Sequence, residues 1–338
     1  MSTYIIRRVL FLVPTLVGIT MLGYCIMRMA PGSPVQQSAM DEFGGIEGTA
    51  AEAQREAQQR KIEEFHLDKH PVVGYLFWAK DILRGDMGRS LIGEREPVAD
   101  KMWSGLRVTI PLNVIAIIIS YLVSIPLGIY AAVRHNDVFD RASAIVLFFL
   151  YSIPSLVVCY IALWVFAYGQ PFDFMPSRGL YGDEWSTMGS FARVGTYIHH
   201  AALPILAMTV GSFTVISRFM RTSMLEVIRQ DYIRTARAKG LSENVVILKH
   251  ALRNGVIPII TIMAGLVPGL IGGSVILETI FGLPGIGRIG FAAVLERDYT
   301  MVMGTFLVSG SLTLISLLIV DIAYVFVDPR ISFESRSR

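Results

Sequence analysis

The chain alternates long apolar runs with polar ones, and that alternation sets its architecture. Arg7 and Arg8 precede an uncharged run over residues 9–27. Its 19 residues are enough to cross a bilayer as a helix. A secretory signal also begins with positive charge and an apolar core, but that core is shorter, so the run reads as a retained first helix. Residues 108–133 carry no charge for 26 positions and predict a second span, with Pro111 and Pro126 near its ends or kinking it. Residues 142–172 are again uncharged and predict a third span, with Pro154 inside it. Residues 201–217, 254–277 and 299–320 complete a set of six. Within the polar region after the first run, Val73, Leu76, Phe77 and Lys80 recur at helical spacing with Trp78 beside them. That pattern suggests a helix lying against the membrane surface.

Composition supports this picture. The chain has 338 residues, 53% hydrophobic and only 17% charged, and its mean hydropathy is +0.54. A soluble domain of this size carries more charge. The net charge of +3 is too small to argue for nucleic acid as a partner. Cys25 and Cys159 both fall in apolar runs and form neither a disulfide framework nor a metal signature.

Charge by loop gives an orientation. Residues 31–104 hold 9 Lys/Arg against 13 Asp/Glu, a net of −4. Residues 218–253 hold 8 Lys/Arg against 3 Asp/Glu, a net of +5. Positive loops stay in the cytoplasm, so six spans imply N-in and C-in with the acidic loop outside. The expected organisation is an N-terminal transmembrane helix (1–30) and an extracytoplasmic loop region (31–104). A five-helix transmembrane core (105–326) follows, containing a cytoplasmic loop (220–255), and a cytoplasmic tail (327–338) ends the chain.

That cytoplasmic loop is the most informative stretch. Asp231 can cap a short helix running to about Lys239. Gly240 can stop it, because glycine reaches the left-handed conformation that ends helices. Ser242 is a good N-cap for the next helix, whose first turn carries Glu243. A DNA-reading helix-turn-helix would also use a glycine corner and basic residues, but it needs a packed core of its own. An ordinary positive loop with no docking role is the other bland alternative.

The segment Asp-Tyr-Ile-Arg-Thr-Ala-Arg-Ala-Lys-Gly-Leu-Ser (231–242), followed by Lys-His-Ala-Leu-Arg-Asn (249–254), resembles the cytoplasmic loop of ABC-importer permeases of the oligopeptide/dipeptide/nickel type. The general motif of such loops begins Glu-Ala-Ala. Here those positions are Arg234, Thr235 and Ala236, a change found in the peptide-permease branch. Further segments are similar to the same family: Arg28-Met29-Ala30-Pro31-Gly32-Ser33-Pro34, Gly85-Asp86-Met87-Gly88-Arg89-Ser90, residues 278–287, and the terminal Asp328-Pro329-Arg330. Residues 40–60 and 173–200 look individual. The resemblance implies an all-α integral membrane protein with the type I importer permease fold, in the bacterial or archaeal cytoplasmic membrane. It also implies a second homologous permease, two ABC ATPase subunits that bind ATP and Mg, and an extracytoplasmic substrate-binding protein. ATPase coupling would then fall to Asp231, Tyr232, Arg234, Thr235, Ala236, Arg237, Lys239 and Gly240.

Other motifs are decoys or absences. No Gly-Lys pair occurs, so the chain has no Walker A loop, and any ATP hydrolysis belongs to another chain. Gly285-Ile286-Gly287-Arg288-Ile289-Gly290 matches a dinucleotide fingerprint, but it follows a membrane span rather than a strand; a tight outer re-entry is the better reading. His199 and His200 are adjacent, so on a helix they face different ways and do not make a metal pair. No nucleophile–base pairing points to an enzyme.

Polar residues inside a membrane are costly and often functional. Asn113, Ser120, Thr209, Ser212, Ser274 and Asp321 are candidates for a translocation pathway, with helix–helix hydrogen bonding as the competing role. Asp321 is equally placed for a structural pair or for gating, whereas Glu278 reads as a marker of the membrane edge. Gly265, Gly269, Gly272, Gly273 and Pro268 allow close packing or bending of the fifth span. The function expected is ATP-driven import of peptides or related small solutes. An ATP-independent transporter or channel is the alternative, and a purely structural membrane protein comes third.

Overall fold

The computed structural model describes residues 2–29, 68–91, 95–168, 172, 174–182, 184–266, 269 and 273–327, and every regular element in them is helical apart from one isolated bridge between Arg89 and Pro97. Helix α1 (Ser2–Met29) is followed by the short α2 (Pro71–Leu83). Then come α3 (Val98–Val133), α4 (Val138–Ser152), α5 (Ser155–Phe166) and α6 (Ser190–Ile228). The short α7 (Asp231–Ala238) leads into a composite helix made of α8 (Glu243–Val245), a π-helical turn (Val246–Ala251) and α9 (Leu252–Gly255). Helices α10 (Ile257–Leu266), α11 (Val275–Ile280), α12 (Ile286–Leu295) and α13 (Tyr299–Val327) complete the order.

Four of these helices are long and apolar enough to cross a membrane: α1, α3, α6 and α13. The third expected span is broken. Pro154 has no amide hydrogen to continue the ladder and pushes Ile153 into an extended conformation, so α4 and α5 meet at a bend of 99°. The fifth expected span is not one continuous helix either: Gly273, at φ +60°, and Ser274 are not helical, and α11 begins at Val275. Between α10 and α11 only Gly269, Gly273 and Ser274 are described; Pro268 and Gly272 lie outside the described residues. Helices also run well past the uncharged runs. α3 starts ten residues before residue 108, and α6 continues through Arg218 and Arg221 to Ile228. Loss of apolar character marks the edge of the lipid, and a helix need not stop there.

Close backbone approach holds α3 against α6. A side chain at Gly128 would strike the Ser217 carbonyl at 2.5 Å and Met220 at 2.7 Å, so only glycine fits that crossing. α1 pairs with α13 through a side chain instead, with the Phe306 ring filling the space beside Gly23. α2 packs onto α1 through Tyr75, which hydrogen-bonds Thr20 at 2.9 Å and meets Tyr24 edge-on. Of the residues whose spacing suggested a helix against the membrane surface, Val73, Leu76 and Lys80 are exposed, whereas Phe77 and Trp78 are half-buried.

Candidate functional site

The basic segment after α6 forms a short amphipathic helix seated on a core that it shares with α6 and the π-helical turn. Ile233 and Ala236, one turn apart on α7, are buried with Met220 and Met224 of α6 and Val246 and Ile247 of the π-helical turn. Gln230 is the N-cap, so Asp231 is the first helical residue and not the cap that the pattern suggested; its charge still favours the helix N-terminus. Gly240 has φ +78°, the left-handed conformation that turns the chain after α7. Ser242 stands at the next N-cap without a side-chain capping bond. Instead, Glu243 staples the corner: Arg237 Nη2 donates to its Oε1 at 2.7 Å and Arg237 Nε to its Oε2 at 3.1 Å. Tyr232 is fixed by Asn254, whose amide donates to the phenol oxygen at 2.7 Å.

This arrangement divides the eight coupling candidates. Asp231, Tyr232, Arg234, Thr235 and Lys239 are exposed. Ala236 is turned inward and can only support the helix. Arg237 is exposed but committed to Glu243, and Gly240 shapes the corner. Ile233, which the motif comparison passed over, is the anchor: it has no exposure.

Three buried carboxylates were not legible as such in the sequence. Glu278 reads there as an edge residue, yet it is only 3% exposed. Thr109 of α3 donates to its Oε1 at 2.8 Å, and the Arg288 amide donates to its Oε2 at 2.8 Å. The glycines around it make room. A side chain at Gly285 would begin inside the Glu278 carboxylate, and one at Gly273 would lie 2.8 Å from Oε1. The glycine-rich motif thus opens helix α12 around a protein carboxylate, with no strand before it. Asp140 is buried at the start of α4 and is gripped by Arg221 of α6. Asp298 accepts from the Met301 amide at 3.0 Å as the cap of α13. It also receives the Ser90 hydroxyl at 2.5 Å and the Leu91 amide at 3.0 Å, which docks the 85–91 segment.

His199 and His200 serve two separate carbonyls, those of Phe174 at 2.6 Å and Gly179 at 3.2 Å, and so tie down the segment before α6.

The pathway candidates separate too. A cavity of about 480 Å³ lies where the α4–α5 bend meets α6 and α11. Tyr151, Pro154 and Ser155 wall one side, Met208 and Ser212 another, and Ser274 and Leu277 the third. Ser212 and Ser274 therefore share one space. Thr209 lines a different cavity of about 360 Å³, between α3 and α6, and its hydroxyl bonds Leu206 within its own helix. Ser120 is buried and Asn113 half-buried, and neither lines these cavities. The Asp321 side chain lies outside the described residues.

Residues 124–333 match the family model of the binding-protein-dependent transport system inner membrane component. The chain belongs to this family. It is 34% identical, over 98% of its own length and all of the relative's, to the oligopeptide transport system permease protein AppB of Bacillus subtilis. It is likewise 34% identical to the dipeptide transport system permease protein DppB of the same organism, over 99% and 100% of the two chains. The peptidoglycan transport system permease protein YejB of Agrobacterium fabrum is 32% identical over 99% and 100%. As an inner membrane component, this chain is a multi-pass ABC-importer permease, a transport subunit and not a catalytic enzyme. The matched range holds α7, Asp140, Arg221, Glu278 and the whole lining of the larger cavity, whereas Asn113 and Ser120 precede it.

Proposed function

We propose that this permease moves short peptides, delivered by an extracytoplasmic binding protein, into the cytoplasm at the expense of ATP hydrolysed on separate subunits. The observation that carries the reading is α7: an eight-residue helix held from beneath by Ile233 and Ala236, presenting Tyr232, Arg234 and Thr235 outward, and ended by a glycine corner. A small rigid helix with one buried and one polar face is suited to seat in a groove of a partner. Arg234, opposite acidic groups there, would add charge-assisted hydrogen bonds.

The topology that goes with this reading has six crossings, with both termini in the cytoplasm. The bent pair α4–α5 counts as one crossing, and the interrupted pair α10–α11 as another. Net charges of +5 over residues 218–253 and −4 over residues 31–104 support α7 inside and the 31–104 region outside. The functional unit contains a second homologous permease and two ATPases that bind ATP and Mg, and this chain itself binds no cofactor. Closure of the ATPase pair draws the α7 helices together, and the attached helices rock from inward-facing to outward-facing. The cavity at the α4–α5 bend, with Ser212 and Ser274 in its wall, is the portion of the pathway that this subunit contributes. Peptide is the substrate because it is the cargo named for the oligopeptide and dipeptide relatives.

The test is affinity purification of the chain in mild detergent, with identification of what stays bound, followed by peptide uptake into proteoliposomes. Recovery of ATPases that are lost in Arg234→Glu, together with ATP-dependent uptake, is the expected result. A chain recovered alone under every nucleotide condition, or uptake without ATP, would overturn it.

A further inference from the structure

Two contacts join α4 to α6, and they are in register. Arg221 of α6 grips Asp140 in the first turn of α4 with two hydrogen bonds, Nε to Oδ1 and Nη2 to Oδ2, each 2.6 Å. Thr214 of α6 donates to the Leu147 carbonyl of α4 at 2.7 Å. The rungs are seven residues apart on each helix, 140 to 147 and 221 back to 214. Seven residues are two helical turns, so both rungs fall on one seam between antiparallel helices. The Asp140 and Arg221 side chains are only 4% and 17% exposed, and the bidentate geometry fixes orientation as well as distance. His135 closes the outer side of the pair, with Nδ1 3.1 Å from Arg221 Nη2.

The seam connects two places that matter. Beyond Arg221, α6 runs on to Ile228, and only Arg229 and Gln230 separate it from α7. At its other end, α4 reaches Ser152 and the 99° bend. That bend and residues 207–212 of α6 form two of the three walls of the larger cavity, with α11 supplying the third.

We propose that the α4–α6 seam, locked by Asp140–Arg221 and Thr214–Leu147, is the transmission element that turns displacement of α7 into opening and closing of the cavity at the Pro154 bend. The seam makes two cavity walls one rigid body, which moves against α11. Without its rungs, α6 slides along α4 and the motion of α7 is dissipated before it reaches the bend. Asp140, Arg221 and Thr214 are positioning residues here, and none of them lines the cavity. The proposal rests on α7 being the ATPase-docking helix.

The experiment uses the complete importer in proteoliposomes and measures peptide uptake per ATP hydrolysed. Asp140→Asn is expected to leave binding-protein-stimulated hydrolysis close to the wild-type rate while uptake per ATP falls about tenfold, within the range of a typical coupling free energy. The exchanged pair Asp140→Arg with Arg221→Asp is expected to recover part of that ratio, as a merely lost charge would not. Thr214→Val changes one group and keeps the side-chain shape, so it carries the same test if the Asp140 variant does not assemble. Assembled Asp140 and Thr214 variants with the wild-type ratio would overturn the proposal. A wild-type complex that fails to hydrolyse ATP or take up peptide is a different failure: it defeats the importer reading, and this proposal with it.

Discussion

Thr109 of α3 and Glu278 of α11 are joined by a 2.8 Å hydrogen bond that spans 169 residues of chain, and Thr109 accepts the Ile286 amide at 2.9 Å through the same oxygen. The threonine is thus a relay between a long helix, a buried carboxylate and the start of α12. A buried donor left without a partner costs about 1–3 kcal/mol. Glu278→Gln must turn its NH₂ group toward either the Arg288 amide, which cannot accept, or the Thr109 hydroxyl, whose own hydrogen then loses its acceptor, so in either orientation one donor is left unpaired. Glu278→Ala removes the acceptor altogether. The expected order of thermal stability in detergent is wild type, then Glu278→Gln, then Glu278→Ala, with Thr109→Val also destabilised. Gly285→Ala is expected to be as damaging as Glu278→Ala, because its new carbon would occupy the carboxylate's place.

Gly240 carries a prediction about backbone alone. No atom lies within 4 Å of where its side chain would start, so space is not the constraint. The constraint is φ +78°, which costs an L-residue about 1–2 kcal/mol. Gly240→Asn should retain most uptake, Gly240→Ala less, and Gly240→Val least, since β-branched residues tolerate this region poorly. ATPase co-purification and peptide uptake measured across the three check the order. Equal behaviour of Asn and Val would mean that the corner does not position α7.

Asp298 anchors the 85–91 segment and caps α13 with one carboxylate. Loss of an N-cap alone costs about 1 kcal/mol, and here two further donors lose their acceptor. Asp298→Ala is expected to speed hydrogen exchange at residues 86–91 and in the first turn of α13, while α7 keeps its wild-type rate. Unchanged exchange at 86–91 would mean that the segment is held by other contacts.

The Arg237–Glu243 staple gives a pH dependence of known sign. The guanidinium holds the Glu243 carboxyl below its ordinary value. A carboxylate shifted that way stabilises above its ordinary pKa, and the contribution is lost as pH falls through the lowered value. Both side chains are well exposed, 40% and 54%, so the contribution is at most about 1 kcal/mol and weakens with salt. Glu243→Gln should lower the melting temperature slightly at neutral pH and low salt, with the difference from wild type beginning to shrink as pH falls below about 4 and gone only below the lowered value. A difference that persists in acid would rule the ion pair out as its cause.

Some of this protein could be read from its residues in order. Uncharged runs of 19 and 26 residues leave a polypeptide little choice but to enter lipid as helix, because every backbone polar group must be satisfied within the segment. The helix–glycine–helix pattern of residues 231–243 was also legible, since helix termination by Gly240 and favourable charge at a helix start are local effects. So was the family, through several short segments spread along the chain.

What the order of residues could not express was decided by contacts across it. Pro154 announces a break, but whether a proline kinks a span mildly or folds it through 99° depends on what packs against the bend. Ala236 and Arg234 belong to one motif, and only the core beneath α7 turns the first inward and leaves the second outside. The clearest cases are the buried acids. Glu278 reads as an edge residue, and nothing in the local sequence of Asp140 or Asp298 announces burial, because burying a charge is unfavourable. Each accepts a nearby backbone amide, and the rest of its compensation comes from Arg221, Thr109 and Ser90, which are 81, 169 and 208 positions away. The sequence by itself determined which runs are apolar enough to cross a membrane and where a short helix with a glycine stop would form. Tertiary structure alone decided which acids could be buried and which helices are pinned to each other, because a buried charge is tolerated only where enough partners are brought to it.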